Sequence, residues 1–267
     1  MSKDILSLGG RVALVSGAGQ GVGRQIALHL AQHDCAGVAV NDYFLDRAEA
    51  VAEEVRAAGG KAIAVQADVT DLQSVKAMRD KVQAELGVIG VLVNNAGNMG
   101  ATPTADVRKP FWETGPEVWN QAIGVNLYGV MNCTAVVIPG MIERGAPGRI
   151  ITIISDAGRY GDANMETYAG AKAGAAGFMR SVARTLGRYN ITANSIAIAA
   201  IRTARTAHRW DGKENAEHAK RVMEKYIIRR PGDPVDVANM ALFLASDASS
   251  WITGQTYPVN GGFTLAL

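Results

Sequence analysis

Ser16-Gly17-Ala18-Gly19-Gln20-Gly21-Val22-Gly23 follows an apolar run at residues 11–16 and precedes a stretch, 25–33, with apolar residues at helical spacing. Glycines between a strand and a helix permit a tight turn and let a pyrophosphate approach the backbone. The free N–H groups and the positive end of the helix then face the phosphates. An ordinary tight turn is the alternative, and the strand-to-helix context is what favours a dinucleotide.

Outward from that turn the chain alternates. Strands are expected at residues 11–16, 37–41, 61–66, 88–94, 149–155, 191–198 and 255–259, and helices at 25–33, 47–58, 72–86, 119–144, 167–188 and 235–246. Strand then helix, repeated, predicts a doubly wound parallel α/β sheet, the Rossmann fold, in three layers. Runs such as Ile150-Ile151-Thr152-Ile153-Ile154 suit strands buried on both faces. No linker, repeat or low-complexity tract interrupts residues 1–267, so a single domain is expected, with a polar, irregular lid at 202–230 after the sixth strand.

Composition narrows the classes. Of 267 residues, 48% are apolar and 19% charged, which excludes a disordered chain. A net charge of +2 offers nothing to nucleic acid. No membrane span or signal core is expected. Two cysteines, Cys35 and Cys133, read as reduced, buried thiols of a cytoplasmic protein. His29, His33, His208 and His218 are scattered, so no metal site is expected.

Asp42 ends the second strand, about 20 residues past the glycines, where an acid accepts the adenosine ribose 2′-OH. Its charge would repel the 2′-phosphate of NADP. No basic residue follows it directly and Gln20 stands in the turn, so NAD is favoured over NADP. The alternative for Asp42 is a cap on the next helix, although Asp46 is the better-placed cap.

Three motifs in order resemble the short-chain dehydrogenase/reductase family: the glycine turn, Asn94-Asn95-Ala96-Gly97 after the fourth strand, and Tyr168-Ala169-Gly170-Ala171-Lys172 on a helix. The resemblance spans nearly the whole chain and implies an NAD(P)-dependent oxidoreductase of alcohols and ketones. The residues agree. Tyr168 and Lys172 are four apart and share a helix face. A tyrosine of pKa about 10 is a poor base near neutrality, and a neighbouring ammonium favours its phenolate. The phenol then exchanges a proton with the substrate oxygen as hydride moves. Ser155, at the end of the fifth strand, would hold that oxygen. The resemblance maps the family's fourth catalytic residue, an asparagine anchoring a water beside the lysine, onto Asn126, with Asn120 and Asn132 as competitors on the same helix. It also implies cofactor contacts from Gly17, Gly19, Gln20, Gly21, Val22, Gly23, Asp42, Asp68, Val69, Asn95, Ala96, Gly97, Tyr168, Lys172, Ile201 and Thr203. Asp68 equally suits a turn cap.

The chain departs from the family after the sixth strand, where Ile198-Ala199 replace Pro-Gly and put the nicotinamide wall in question. The lid holds nine Lys/Arg against four Asp/Glu. Of these, Arg202, Arg205, Arg209, Lys220 and Arg221 either meet an anionic substrate such as a CoA thioester or are simply solvated. Tyr160, Met165 and Trp210 are expected pocket walls for a bulky apolar or cyclic compound. Small residues from Ala169 to Gly177 and the apolar end 261–267 predict a homotetramer, with a dimer as fallback. The competing functions are an NADP-linked 3-oxoacyl (carrier-protein) reductase and a non-catalytic NAD-binding regulator.

Overall fold

A computed structural model describes residues 4–212 and 215–265. Lys213 and Glu214 of the lid, and Ala266 and Leu267 of the expected C-terminal interface, lie outside the described residues. The strands are β1 (Arg11–Val15), β2 (Cys35–Asp42), β3 (Ala62–Gln66), β4 (Ile89–Asn94), β5 (Gly148–Ser155), β6 (Ile191–Ile198) and β7 (Thr256–Val259). The longer helices are α1 (Gly21–Ala31), α2 (Leu45–Ala57), α3 (Leu72–Glu85), α4 (Pro116–Ile123), α5 (Gly129–Glu143), α7 (Glu166–Leu186) and α9 (Pro234–Ala245). The short turns α6 (Ala157–Tyr160) and α8 (Ala216–Met223) complete the set.

All seven strands pair in parallel, in the order β3-β2-β1-β4-β5-β6-β7. The chain winds outward from β1 in one direction, then returns to β4 and winds outward in the other. The switch between β1 and β4 opens a crevice at the carboxyl ends of the strands, which is where this architecture takes its ligands. Strand residues fill both layers. Leu14, Leu92, Ile150 and Ile154 face Met78, Val137, Met141 and Met179. Ala13, Val15, Val38, Val40, Val93 and Ile153 face Ile26, Leu30, Val51 and Leu242. Burial on both faces is why the strands read as continuous apolar runs.

Several expectations shift. The first helix begins at Gly21, so the last glycines already belong to its first turn. Asp46 does not cap α2: Phe44 is the N-cap, Asp46 lies in the first turn, and the Asp42 carboxylate accepts from the Phe44 N–H (3.1 Å). The long helix expected over 119–144 starts at Pro116 and is interrupted by a π-helical turn, Gly124–Tyr128. Taken together, 116–143 is apolar and long enough to cross a membrane by length and composition, although no membrane span was expected; half of its most apolar 18-residue stretch is buried. Cys133 is buried as expected, but Cys35 is only partly so. The lid, read as irregular, contains α8.

Candidate active site

The glycine turn is built by close approach. Gly17 has φ +59°, and a Cβ there would lie 2.8 Å from Ala96 Cα. The Ser16 hydroxyl accepts from the N–H groups of Asn95 (3.0 Å) and Ala96 (3.1 Å). The Asn95 amide donates back to the carbonyls of Ser16 (3.0 Å) and Gly17 (2.9 Å). The ends of β1 and β4 are thereby stapled together, and side chains on Gly17 or Gly23 would force them apart. Gln20 is the N-cap of α1 and its side chain makes no capping bond; no acid occupies the first turn. The helix N-terminus therefore keeps donors and a positive dipole end for an anion. Val22 packs on the core, and a Cβ on Gly21 would sit 3.4 Å from the methyl of Thr203. These residues fit the pyrophosphate of a dinucleotide.

Asp42 is buried, with one oxygen accepting from Phe44 and the other from the Gly19 N–H (3.1 Å). It thus holds the turn in place from the edge where a ribose would lie. A Cβ on Gly19 would also strike Arg47. Arg47, five residues beyond Asp42 on α2, stacks its guanidinium on Phe44 at 4.3 Å. Inspecting only the residue after Asp42 misses it, because one helical turn brings it back to the glycines. Asp68 takes the capping alternative, accepting from the Thr70 N–H and hydroxyl (both 2.8 Å). Val69 is buried against Gly129, at the start of α5.

At the other end of the crevice Ser155, Tyr168 and Lys172 converge. Burial pushes the Tyr168 phenol up from its ordinary pKa, while the Ser155 hydroxyl and then the Arg205 charge pull it down. Lys172 is buried, donates to the Ile153 carbonyl (2.8 Å), and is pushed down to about 8 by desolvation. Its Nζ lies 5.9 Å from the Tyr168 ring centroid. The expected depression of Tyr168 by Lys172 is not what sets the phenol: Lys172 donates to the backbone, and burial of the phenol outweighs the Ser155 hydroxyl and the Arg205 charge.

Asn126 sits in the π-helical turn, fully buried. Its amide donates to the carbonyls of Asn98 (2.5 Å) and Ala122 (2.8 Å) and accepts from the Asn98 N–H (3.2 Å). Of the three asparagines, it alone borders the lysine: a Cβ on Gly97 would lie 2.9 Å from Asn126 Oδ1 and 3.1 Å from Lys172 Nζ. Asn132 instead donates to the Val69 carbonyl (2.9 Å). A π-turn re-aims one side chain without ending the helix, and such turns concentrate at functional sites.

The residues that replace Pro-Gly leave β6 continuous. Ile198 extends β6 into register with Ser155 and Val259. Ala199 is not among the described residues with positive φ, so glycine's freedom is not needed there. Ile201 bridges to Gly232, its carbonyl accepts from the Thr206 hydroxyl (2.8 Å), and Thr203 follows.

The residues expected as pocket walls, Tyr160, Met165 and Trp210, have different surroundings. Tyr160 stacks edge-on against Phe263 (5.5 Å), which stacks on Tyr226 of the lid (4.8 Å). The Tyr226 hydroxyl accepts from the Ala200 N–H (3.1 Å). Met165 is the N-cap of α7, and the Trp210 indole N–H is buried with no acceptor among the described residues. Asp156, buried beside Ser155, accepts from Asn260 (2.6 Å) and Thr264 (3.0 Å) and pairs with Arg159 (2.8 Å). The chain end is thus pinned against the Ser155 turn. Phe263, Tyr226 and Asp156 carry no local signal in the sequence.

A family model described as enoyl-(acyl carrier protein) reductase matches residues 17–264. The 7alpha-hydroxysteroid dehydrogenase of Escherichia coli (strain K12) is 36% identical over 268 residues, covering 98% of this chain and 97% of the relative. The 3-oxoacyl-[acyl-carrier-protein] reductase FabG of Staphylococcus aureus (strain N315) is 38% identical over 251 residues, covering 94% and 96%. A solved 7 alpha-hydroxysteroid dehydrogenase complexed with NADH and 7-oxo glycochenodeoxycholic acid superposes with a TM-score of 0.87 at 36% identity, over 98% of this chain and 97% of that one. A putative NAD(P)-dependent gluconate 5-dehydrogenase from Beutenbergia cavernae with bound NADP gives a TM-score of 0.86 at 32% identity, over 97% and 99%. With this parallel sheet, this glycine turn and relatives along almost its whole length, the chain belongs to the short-chain dehydrogenase/reductase family, as an oxidoreductase acting on CH–OH groups.

Proposed function

We propose that the protein interconverts a secondary alcohol and a ketone with NAD, using Tyr168 as general acid/base. The observation that carries this reading is the convergence of Ser155, Tyr168 and Lys172 at the crevice whose other end is closed by the glycine turn and Asp42. A nicotinamide held there supplies the hydride acceptor or donor. Ser155 holds the substrate oxygen against Tyr168, and the phenol passes or takes the proton. Lys172, easily deprotonated for a lysine, lies 5.9 Å from the Tyr168 ring centroid. Asn126 fixes the Asn98 backbone and, across Gly97, the position of the lysine.

NAD is preferred because the Asp42 carboxylate already grips the turn where a 2′-phosphate would have to sit. Arg47 favours a second reading, an NADP-linked 3-oxoacyl reductase, since it flanks the same glycine. The aromatic wall of Tyr160, Phe263 and Tyr226 supports a bulky, cyclic or CoA-linked hydroxy compound. The relative solved with a bile-acid ketone points the same way. A homotetramer is part of the proposal. Gly170, Ala173 and Gly174 turn outward on α7, Tyr128 of the π-helical turn and Met131 of α5 turn outward beside it in sequence, and Trp251 is 99% exposed.

Tyr168→Phe tests the chemistry. NADH binding should be unchanged by fluorescence while turnover falls by about three orders of magnitude. Retained activity would refute the acid/base role, and a regulator would show no turnover to lose. Comparing kcat/KM for NAD and NADP on the intact protein separates the two cofactor readings.

A further inference from the structure

Among the basic residues of the lid, Arg202 is paired with Asp211 (2.7 Å) and Arg230 with Asp236 (2.7 Å). Arg205 has no carboxylate partner among the described residues. Its guanidinium turns into the crevice instead. With the Asn98 amide set in the orientation that satisfies its neighbours, Oδ1 accepts from both Nη1 (2.6 Å) and Nη2 (2.5 Å) of Arg205. Two donors thus converge on one neutral oxygen, where a guanidinium fork is shaped to meet the two oxygens of an anion.

Asn98 is a fixed mount for this fork. It has φ +80°, and its backbone is gripped in both directions by the buried Asn126 amide. Asn126 in turn borders Lys172 across Gly97. Arg205 therefore stands at the reacting end of the crevice, and its charge is felt at the Tyr168 phenol. The cofactor's phosphates belong elsewhere, at the turn that Thr203 covers at Gly21.

We infer that Arg205 is a specificity residue that binds a carboxylate on the substrate, carried within a few bonds of the carbon that exchanges hydride. This deepens the proposed function and rests on its assignment of Tyr168 to the reacting oxygen. The preferred substrates are then hydroxy and oxo acids. An ester or thioester at the same position, being neutral, gives up the charge-assisted pair. The carboxylate displaces the Asn98 carbonyl from the fork, exchanging one neutral acceptor for two charged ones.

The probes are 3-oxocyclohexanecarboxylate and its methyl ester. Their binding is measured by NADH fluorescence on the Tyr168→Phe protein with NADH bound, where chemistry is off. The acid should bind roughly 10- to 100-fold more tightly than the ester. Adding Arg205→Gln should bring the ratio near one, Arg205→Lys should keep part of it, and NADH affinity should stay unchanged. The inference is overturned by an acid-to-ester ratio near one before Arg205 is changed, or by a ratio that survives Arg205→Gln. It is equally overturned by a loss confined to NADH binding, which would assign the arginine to the cofactor, and by failure of both probes to bind at millimolar concentration. Residual turnover by Tyr168→Phe would defeat the acid/base reading instead, and is read separately from the binding ratio.

Discussion

Replacing Gly97 with alanine adds one methyl group between two buried polar side chains of the site, Asn126 and Lys172. The new Cβ would stand 2.9 Å from Asn126 Oδ1 and 3.1 Å from Lys172 Nζ. Ordinary contact needs a few tenths of an ångström more from each, about 0.3–0.5 Å. Neither group yields freely. Asn126 is held by three hydrogen bonds to Asn98 and Ala122, and Lys172 by the Ile153 carbonyl. Gly97 has no positive φ, so backbone strain does not enter. Overpacking of this kind costs about 1–3 kcal/mol, which for a chain of this size lowers Tm by roughly 2–4 °C per kcal/mol. Displacing positioned groups by half an ångström or more costs up to about 100-fold in rate. The assay is single-turnover NADH formation at saturating cofactor, alongside a thermal melt. Adding Asn126→Ser removes the oxygen that the methyl group meets, so the double variant should lose less than the sum of the singles. A Gly97→Ala protein with unchanged Tm and hydride-transfer rate would refute the tight wall described here.

Lys172 makes stability depend on pH. Its pKa falls from 10.5 unfolded to about 8 folded, so between those values the unfolded chain binds the extra proton and stability rises with pH. Below about 8 the buried ammonium destabilises the fold by about 3 kcal/mol. Lys172→Met should therefore gain stability over the native protein at pH 7 and lose that advantage by pH about 10.5, as urea melts at the two pH values would show; a difference independent of pH would refute the burial argument. At the opposite end of the sheet Asp247 pairs with two buried guanidinium groups, Arg11 and Arg149, the latter pushed down to about 10 by burial first and by Arg11 second. Asp247→Asn should cost roughly 1–3 kcal/mol, the figure being reduced because Asp247 is 55% exposed. Its urea midpoint should fall while turnover of the folded protein holds, and an unmoved midpoint would mean that the backbone acceptors alone satisfy the two arginines.

Much of the fold was legible because its signals are local. Apolar runs mark strands buried on both faces, and the glycine turn joins β1 to α1 within eight residues of sequence. The candidate acid/base pair was legible for the same reason, since four residues on a helix share a face whatever surrounds them. Helix interruptions were less visible: the π-helical turn at Gly124–Tyr128 leaves no break in the apolar pattern, yet it is what turns Asn126 inward. Arg47 escaped notice because it approaches Gly19 around a helical turn rather than along the chain.

The sequence by itself determined the doubly wound class, the glycine turn and the Tyr168-Lys172 pair, because each depends on neighbours bonded within a few residues. Only the tertiary structure decided that Asn126 grips Asn98, that Arg205 alone of the lid arginines forks onto that asparagine, and that Asp156 pins the chain end from 104 positions away. It also decided that burial outweighs Ser155 and Arg205 at the Tyr168 phenol. Those outcomes turn on which loops the parallel sheet gathers at its carboxyl edge and on how much water they exclude, and neither quantity is set by residues adjacent in the chain.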